Sequence, residues 1–299
     1  MTTDRRTLLS TYKNGNYDVY LYSDGTKIKR TKAGEFDAEF PDSVDLKITD
    51  RCDMNCPMCH ESSTALGEHG DLSAEFLDTL HFGTELAIGG GNPFTHPELD
   101  AFLSRMKARG VVCNLTLNEE HFLRETSRVE ALLSSKLVRG LGISLSRCAA
   151  ETVDFARRHK TVVFHAVCGI ADENVLRKLY DKDVKLLLLG YKRVGRGAAY
   201  YDEHIQTEID ALASHIKETA KKFDTVSFDN LAIEQLGLRE SLPKRLFEER
   251  YMGDDGSASM YIDLVKKEFA VSSTSAVRYP VRSTVRDMFE TVKICSTGK

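Results

Sequence analysis

From residue 44 onward, short apolar runs alternate with longer stretches of helical periodicity, and this alternation constrains the chain more than any other feature. The runs are Val44–Thr49, Leu86–Gly89, Val111–Leu117, Val138–Leu145, Thr161–Val167 and Lys185–Leu189. Between them, Leu99, Phe102, Leu103 and Met106 keep the spacing of one helix face, as do Ile205, Ile209, Leu212 and Ile216 further on. Strands separated by helices pair in parallel, because each crossover returns the chain to the same end of the sheet. Six such units suit an α/β fold in the form of an open, partial (β/α)6 TIM-like barrel. A doubly wound open sheet satisfies the same periodicity and stays as the alternative.

Two flanking segments stand outside the alternation. Residues 17–30 alternate around Asp24-Gly25, the signature of a β-hairpin. After about residue 230 the pattern stops: Leu242–Arg250 and Thr284–Val292 read as helical, Ser257–Leu264 and Glu268–Ser273 as strands. The expected organisation is an N-terminal hairpin extension over 1–36, a barrel over 37–230 and a small α+β cap over 231–299. The chain has 299 residues, 41% hydrophobic and 29% charged, which is ordinary for a soluble globular enzyme. Its formal net charge of −4 disfavours non-specific nucleic-acid binding, which depends on neutralising phosphates. No apolar run reaches the ~18–20 residues of a membrane span. Met1–Arg6 has no apolar core behind its charges, so we expect no signal peptide and a cytoplasmic location.

The seven cysteines stand at 52, 56, 59, 113, 148, 168 and 295. An odd count with three packed together is a metal-site pattern rather than a disulfide framework. The three are Cys52, Cys56 and Cys59, spaced C-x3-C-x2-C directly after the Val44–Thr49 run. Thiolates are the usual ligands of iron–sulfur clusters. Three cysteines on a four-iron cubane leave one iron open to an external chelate, such as the amine and carboxylate of S-adenosylmethionine. One electron can then break the sulfonium bond and release a 5′-deoxyadenosyl radical. A structural zinc site is the alternative, but zinc usually takes four ligands in two pairs. His60 would be an awkward fourth, since it directly follows Cys59. An iron–sulfur electron carrier or sensor is a further, non-catalytic alternative.

This motif resembles that of the radical S-adenosylmethionine superfamily, over about residues 40–230. The resemblance implies one 4Fe–4S cluster on Cys52, Cys56 and Cys59, and S-adenosylmethionine as cofactor. It also implies a one-electron donor such as flavodoxin or ferredoxin, and no membrane partner. Members usually carry an aromatic residue before the third cysteine; Met58 stands there and can cover adenine by soft packing. After the second strand, Gly90-Gly91-Asn92-Pro93 occupies the place of the family's Gly-Gly-Glu-Pro, which contacts the cofactor's amino group. Ser144 and Ser146 share a face if their strand alternates, and resemble hydroxyl residues that bond the ribose. Thr116 and Asn118 end the third strand as in members with Thr-Asn. Arg196, in the Lys192-Arg193-Val194-Gly195-Arg196-Gly197 turn, resembles an arginine that can bond a carboxylate bidentately.

Functional residues in such barrels gather at the C-terminal strand ends. His165, Cys168, Asp229 and Asn230 would then face the substrate, and Cys148 or Cys168 could return a hydrogen atom to a substrate radical. The segment after 231 resembles a SPASM/twitch extension stripped of its ligands, since Cys295 is its one cysteine and cannot hold an auxiliary cluster. That extension and Arg196 suggest an amino-acid- or peptide-like substrate. The Asp45–Thr49 approach and Cys59–Ser63 exit also resemble phage members, in which such enzymes rearrange amino-acid groups on thymine in DNA. A modified DNA base is therefore the second substrate class. It would need Lys178, Lys182, Lys185, Lys192, Arg193 and Arg196 to gather near the mouth and meet phosphates.

Overall fold

The computed structural model describes residues 7–23 and 25–297. Met1–Arg6 and Asp24, on which the leader and one turn residue were read, lie outside the described residues. The N-terminal segment is a three-stranded antiparallel sheet, β1 (Leu8–Asn14), β2 (Tyr17–Tyr22) and β3 (Lys27–Thr31). A single hairpin understates it, because Asn14-Gly15 is a second turn signal. Gly15 has φ +55°, and a Cβ there would meet the Asp37 carbonyl oxygen at 1.9 Å. Tyr17, Val19 and Leu21 form its buried face. Asp42 fastens it to the rest of the chain, accepting from Tyr17 Oη at 2.7 Å and pairing with Lys29 at 2.6 Å.

The second sheet has ten strands in the order β10-β9-β8-β7-β6-β5-β4-β11-β12-β13. Its parallel row runs through β4 (Ser43–Thr49), β5 (Glu85–Gly90), β6 (Val112–Asn118), β7 (Gly140–Ser144), β8 (Val162–Val167), β9 (Lys185–Leu189) and β10 (Thr225–Phe228). From β4 to β10 the order follows the sequence, and the chain then returns to the far side of β4 near its end. Strand β10 is a seventh member beyond the six runs, too short and too polar (Thr-Val-Ser-Phe) to register as an apolar run.

The last part of the chain returns to this sheet. Strand β11 (Ser259–Asp263) pairs in parallel with β4, and β12 (Glu268–Ala270) and β13 (Tyr279–Pro280) continue antiparallel. Helix Val285–Thr297 presents Val285, Met288, Phe289 and Val292 to the core. One face of the parallel row is sealed: Leu86, Ile88, Leu115, Ile143, Phe164 and Leu188 are fully or nearly fully buried. The opposite face, which carries Asp45, Ala87, Asn114, Thr116, Ser144 and His165, retains partial or full access to water.

Candidate active site

Strand β4 ends at Thr49, and the next twenty residues form a loop that folds back on itself. Asp50 N–H donates to Glu68 O at 2.8 Å, Thr64 N–H to Asp50 O at 3.0 Å, and Cys52 N–H to Thr64 O at 2.8 Å. Inside it, Cys59 N–H donates to Cys56 O at 3.2 Å, and Asn55 and Ser62 adopt left-handed φ of 46° and 54°. Such conformations in residues other than glycine are held by surrounding contacts. All three thiols are half-buried and free of disulfides. Burial and the neighbouring sulfurs hold Cys52 and Cys56 above the ordinary thiol range. Bringing three thiols together in a partly dry loop is thus opposed until a cationic centre accepts them as thiolates.

The spread of donors bears on what that centre is. Among the described residues, the ligand atoms of Cys52, Asp53 and His121 lie within 4.8 Å of one another, whereas the three motif sulfurs do not gather that tightly. Four thiolates on one zinc ion stand ~3.8 Å apart, from tetrahedral geometry and a Zn–S bond of ~2.3 Å. As placed, the three sulfurs do not all stand as close as the ligands of a single zinc ion.

Two neighbouring turns brace the loop. Gly91 N–H donates to Thr49 O and Asn92 N–H to Arg51 O, both at 2.7 Å. A Cβ at Gly91 would lie 2.3 Å from Arg51 O, and one at Gly90 would lie 2.5 Å from Thr49 O, so both glycines are needed for this approach. Asn92 Oδ1 caps the short turn after it, accepting from Phe94 N–H at 3.1 Å, and an amide oxygen has a second lone pair to offer. From the other side, Gly195 and Gly197 lie against the backbone of His60 and Met58. Between them, Arg196 donates from Nε to Cys56 O at 3.0 Å and from Nη1 to Ser63 O at 2.9 Å. Its guanidinium grips the cysteine loop in place of the free carboxylate expected of it. Met58 packs half-buried against the core.

A third brace was not legible from spacing. Asp53 is gripped by His121 Nε2 at 2.6 Å and Arg124 Nη1 at 2.6 Å, both on helix Glu119–Arg124. Those two partners hold its carboxyl down at about 2. Asn118 caps the same helix by accepting from Glu120 N–H at 2.9 Å. Glu119 turns inward: its carboxylate accepts from the backbone N–H groups of Ser146, Arg147, Cys148 and Ala149 at 2.6–3.1 Å. Burial pushes the Glu119 carboxyl up, but these N–H donors outweigh it and lower it. Ser146 Oγ also donates to Glu119 at 3.1 Å, so Ser146 belongs to this nest, while Ser144 ends β7 half-exposed.

Cys148 and Cys168 follow β7 and β8 at their C-terminal ends, and both are buried. Burial, with Glu119 close by, raises Cys148 to about 11; burial, with Asp229 close by, raises Cys168 to about 12. His165 lies on β8 against Gly142, and burial lowers it to about 4. Asp229 caps helix Asn230–Gln235, accepting from Ala232 N–H at 2.7 Å, and also accepts from Gly190 N–H at 2.9 Å. Asn230 donates to Asp255 at 2.6 Å, reaching the C-terminal segment. The basic residues do not collect at one place. Lys182 and Lys185 lie at the N-terminal end of β9, Lys192, Arg193 and Arg196 beyond its C-terminal end.

Beneath the loop, Lys47 is a buried ammonium inside three carboxylates: Asp50 at 2.7 Å, Glu61 at 2.9 Å and Asp263 at 3.0 Å. Burial alone would lower Lys47; Glu61, Asp50 and Asp263 overcome it and raise it. Tyr261 Oη donates to Glu61 at 3.1 Å. This network ties the cysteine loop to β4 and β11. Lys47 sits in an apolar run and has no sequence signal, since its partners come from 3 to 216 residues away.

No family model and no curated protein matches the sequence. Among solved structures, Streptococcus suis SuiB bound to precursor peptide SuiA matches with a TM-score of 0.61 at 13% identity, over 85% of this chain and 65% of that one. SuiB bound to S-adenosylmethionine matches at 0.58 and 13% identity, over 85% and 64%. A further SuiB structure matches at 0.57 and 14% identity, over 86% and 66%. This chain therefore spans just under two thirds of SuiB over the first two matches. At such identity the likeness is one of architecture: the chain has the fold of SuiB, a protein solved with S-adenosylmethionine in one structure and with a precursor peptide in another.

Proposed function

We propose that the chain is a radical S-adenosylmethionine enzyme acting on a peptide-like substrate. The observation that carries this reading is a C-x3-C-x2-C loop at the end of the first parallel strand, braced by Gly90-Gly91, in the fold of SuiB. In this reading the parallel row curls as a partial barrel, with residues 231–299 as its cap. Cys52, Cys56 and Cys59 would hold a 4Fe–4S cluster, which would supply one electron to S-adenosylmethionine. A flavodoxin- or ferredoxin-type donor provides that electron.

The chain's own residues position and protect. Arg196 and the Asp53 clamp fix the loop on two sides. Gly90 and Gly91 let backbone reach the cofactor, and Asn92 presents an amide acceptor toward its ammonium. Ser144 lines the approach to the ribose. The Cys148 and Cys168 thiols stay protonated at neutral pH, the form that can return a hydrogen atom. The nucleic-acid reading would rest on Lys178, Lys192, Arg193 and Arg196 alone, because Lys182 and Lys185 sit at the other end of β9. Anaerobic protein with dithionite and S-adenosylmethionine should form 5′-deoxyadenosine, and Cys56→Ala should form none. Equal yields from both proteins would overturn the proposal.

A further inference from the structure

We infer that Asn114 and His165 hold the main chain of the peptide substrate, laid in extended form along the inner face of β7. This rests on the peptide reading above and says how the peptide is held. Ahead of Ser144, the inner positions of β7 are Gly140 and Gly142, so the strand is bare there. The neighbouring strands lean over the two bare positions from opposite sides. A Cβ at Gly140 would lie 2.9 Å from Asn114 Oδ1, on β6. One at Gly142 would lie 2.2 Å from His165 Cε1 and 2.4 Å from its Nε2, on β8.

Neither side chain has a hydrogen-bond partner among the described residues. Burial lowers His165 to about 4, yet the residue keeps partial access to water. That combination belongs to a group facing an enclosed space rather than bulk solvent. A neutral imidazole offers one donor and one acceptor, and the Asn114 amide offers two donors and an acceptor oxygen. A charged ligand group finds no counter-charge in either, whereas the N–H and C=O of a peptide group match both. The spacing points the same way. Gly140 and Gly142 are two residues apart, about 6.6 Å along the strand at ~3.3 Å per residue, and an extended chain turns alternate amide groups to one side at that interval. Ser144 stands at the end of β7, the level expected for the cofactor's ribose. Asn114 and His165 therefore meet what lies beyond the cofactor, further down the strands.

The test uses the full chain, anaerobically reconstituted and saturated with S-adenosylmethionine. Calorimetry compares N-acetylated, C-amidated pentaglycine with the same peptide built from sarcosine, whose methylated nitrogens donate nothing. Wild type should bind the glycine peptide about tenfold more tightly, the scale of two neutral hydrogen bonds. His165→Phe should cut that preference to about threefold, since two side chains share it, and His165→Gln should restore it. Both variants should keep the iron content and the cofactor's Kd of wild type. If His165→Phe does not fold, Asn114→Leu decides, since it must lower the preference in the same way. Equal binding of the two peptides by wild type, a preference kept by both His165→Phe and Asn114→Leu, a loss that His165→Gln does not recover, or a loss that tracks the cofactor's Kd would overturn the inference. Binding of neither peptide would sink the peptide reading with it, and failure of the radical reading shows separately, as absent iron and sulfide in wild type.

Discussion

Replacing Arg196 by alanine separates a loop held by the protein from one held by its metal alone. The guanidinium donates to Cys56 O at 3.0 Å and Ser63 O at 2.9 Å, and both bonds are half-buried. A hydrogen bond from a charged donor contributes about 1.5–3 kcal/mol, so the pair contributes about 3–6 kcal/mol if fully shielded. Water can replace part of each bond at a half-buried site, which reduces the expected loss to about 2–4 kcal/mol. The backbone N–H of Arg196 keeps its bond to Cys59 O in the variant, so the turn itself persists. Urea unfolding should show a lower midpoint at unchanged slope. A chelator should also strip iron faster from the variant. Arg196→Lys should recover about half of the loss, because a single Nζ cannot stand at both the Nε and Nη1 positions from which the two carbonyls are met. A change below about 0.5 kcal/mol with unaltered iron retention, or full recovery by lysine, would refute the reasoning.

Lys47→Met should cost about 3–5 kcal/mol, since it strands three carboxylates around a buried site; a thermal midpoint equal to wild type would remove the network from the account. Glu119 has a lowered folded pKa, so its contribution is complete above the ordinary glutamate value of 4.5 and is lost as pH falls through the folded value. Glu119→Gln should therefore flatten the acid limb of stability against pH, and an unchanged limb would show that the nest is not held by charge. Asn92→Ala should weaken S-adenosylmethionine binding by roughly 1.5–3 kcal/mol, the scale of one hydrogen bond to a charged group. An unchanged Kd would take Asn92 out of the cofactor site.

The parallel row and the cysteine loop were legible because both follow local rules. Apolar runs such as Leu86–Gly89 and Thr161–Val167 mark strands wherever helices cover one face, and C-x3-C-x2-C is a contiguous signature. Strand β10 escaped because a short edge strand, only partly buried on one face through Val226 and Phe228, needs no apolar run. The single-sheet return of β11 beside β4 escaped because nothing local specifies a partner more than two hundred residues away. Arg196 was legible as important, but its bonds to the cysteine loop were not: the Gly-Arg-Gly turn marks close approach, and which backbone it approaches depends on tertiary placement. Glu119 and His121 carry no spacing signal, because their partners come from other βα units.

The central claim is that Cys52, Cys56 and Cys59 together hold a four-iron cluster. The most direct measurement is iron, acid-labile sulfide and zinc in anaerobically purified wild type and Cys56→Ala. The account predicts about four irons and four sulfides per wild-type chain, no zinc, and loss of the cluster's visible absorbance in the variant. One zinc per chain, or a Cys56→Ala protein with its full complement of iron, would contradict it.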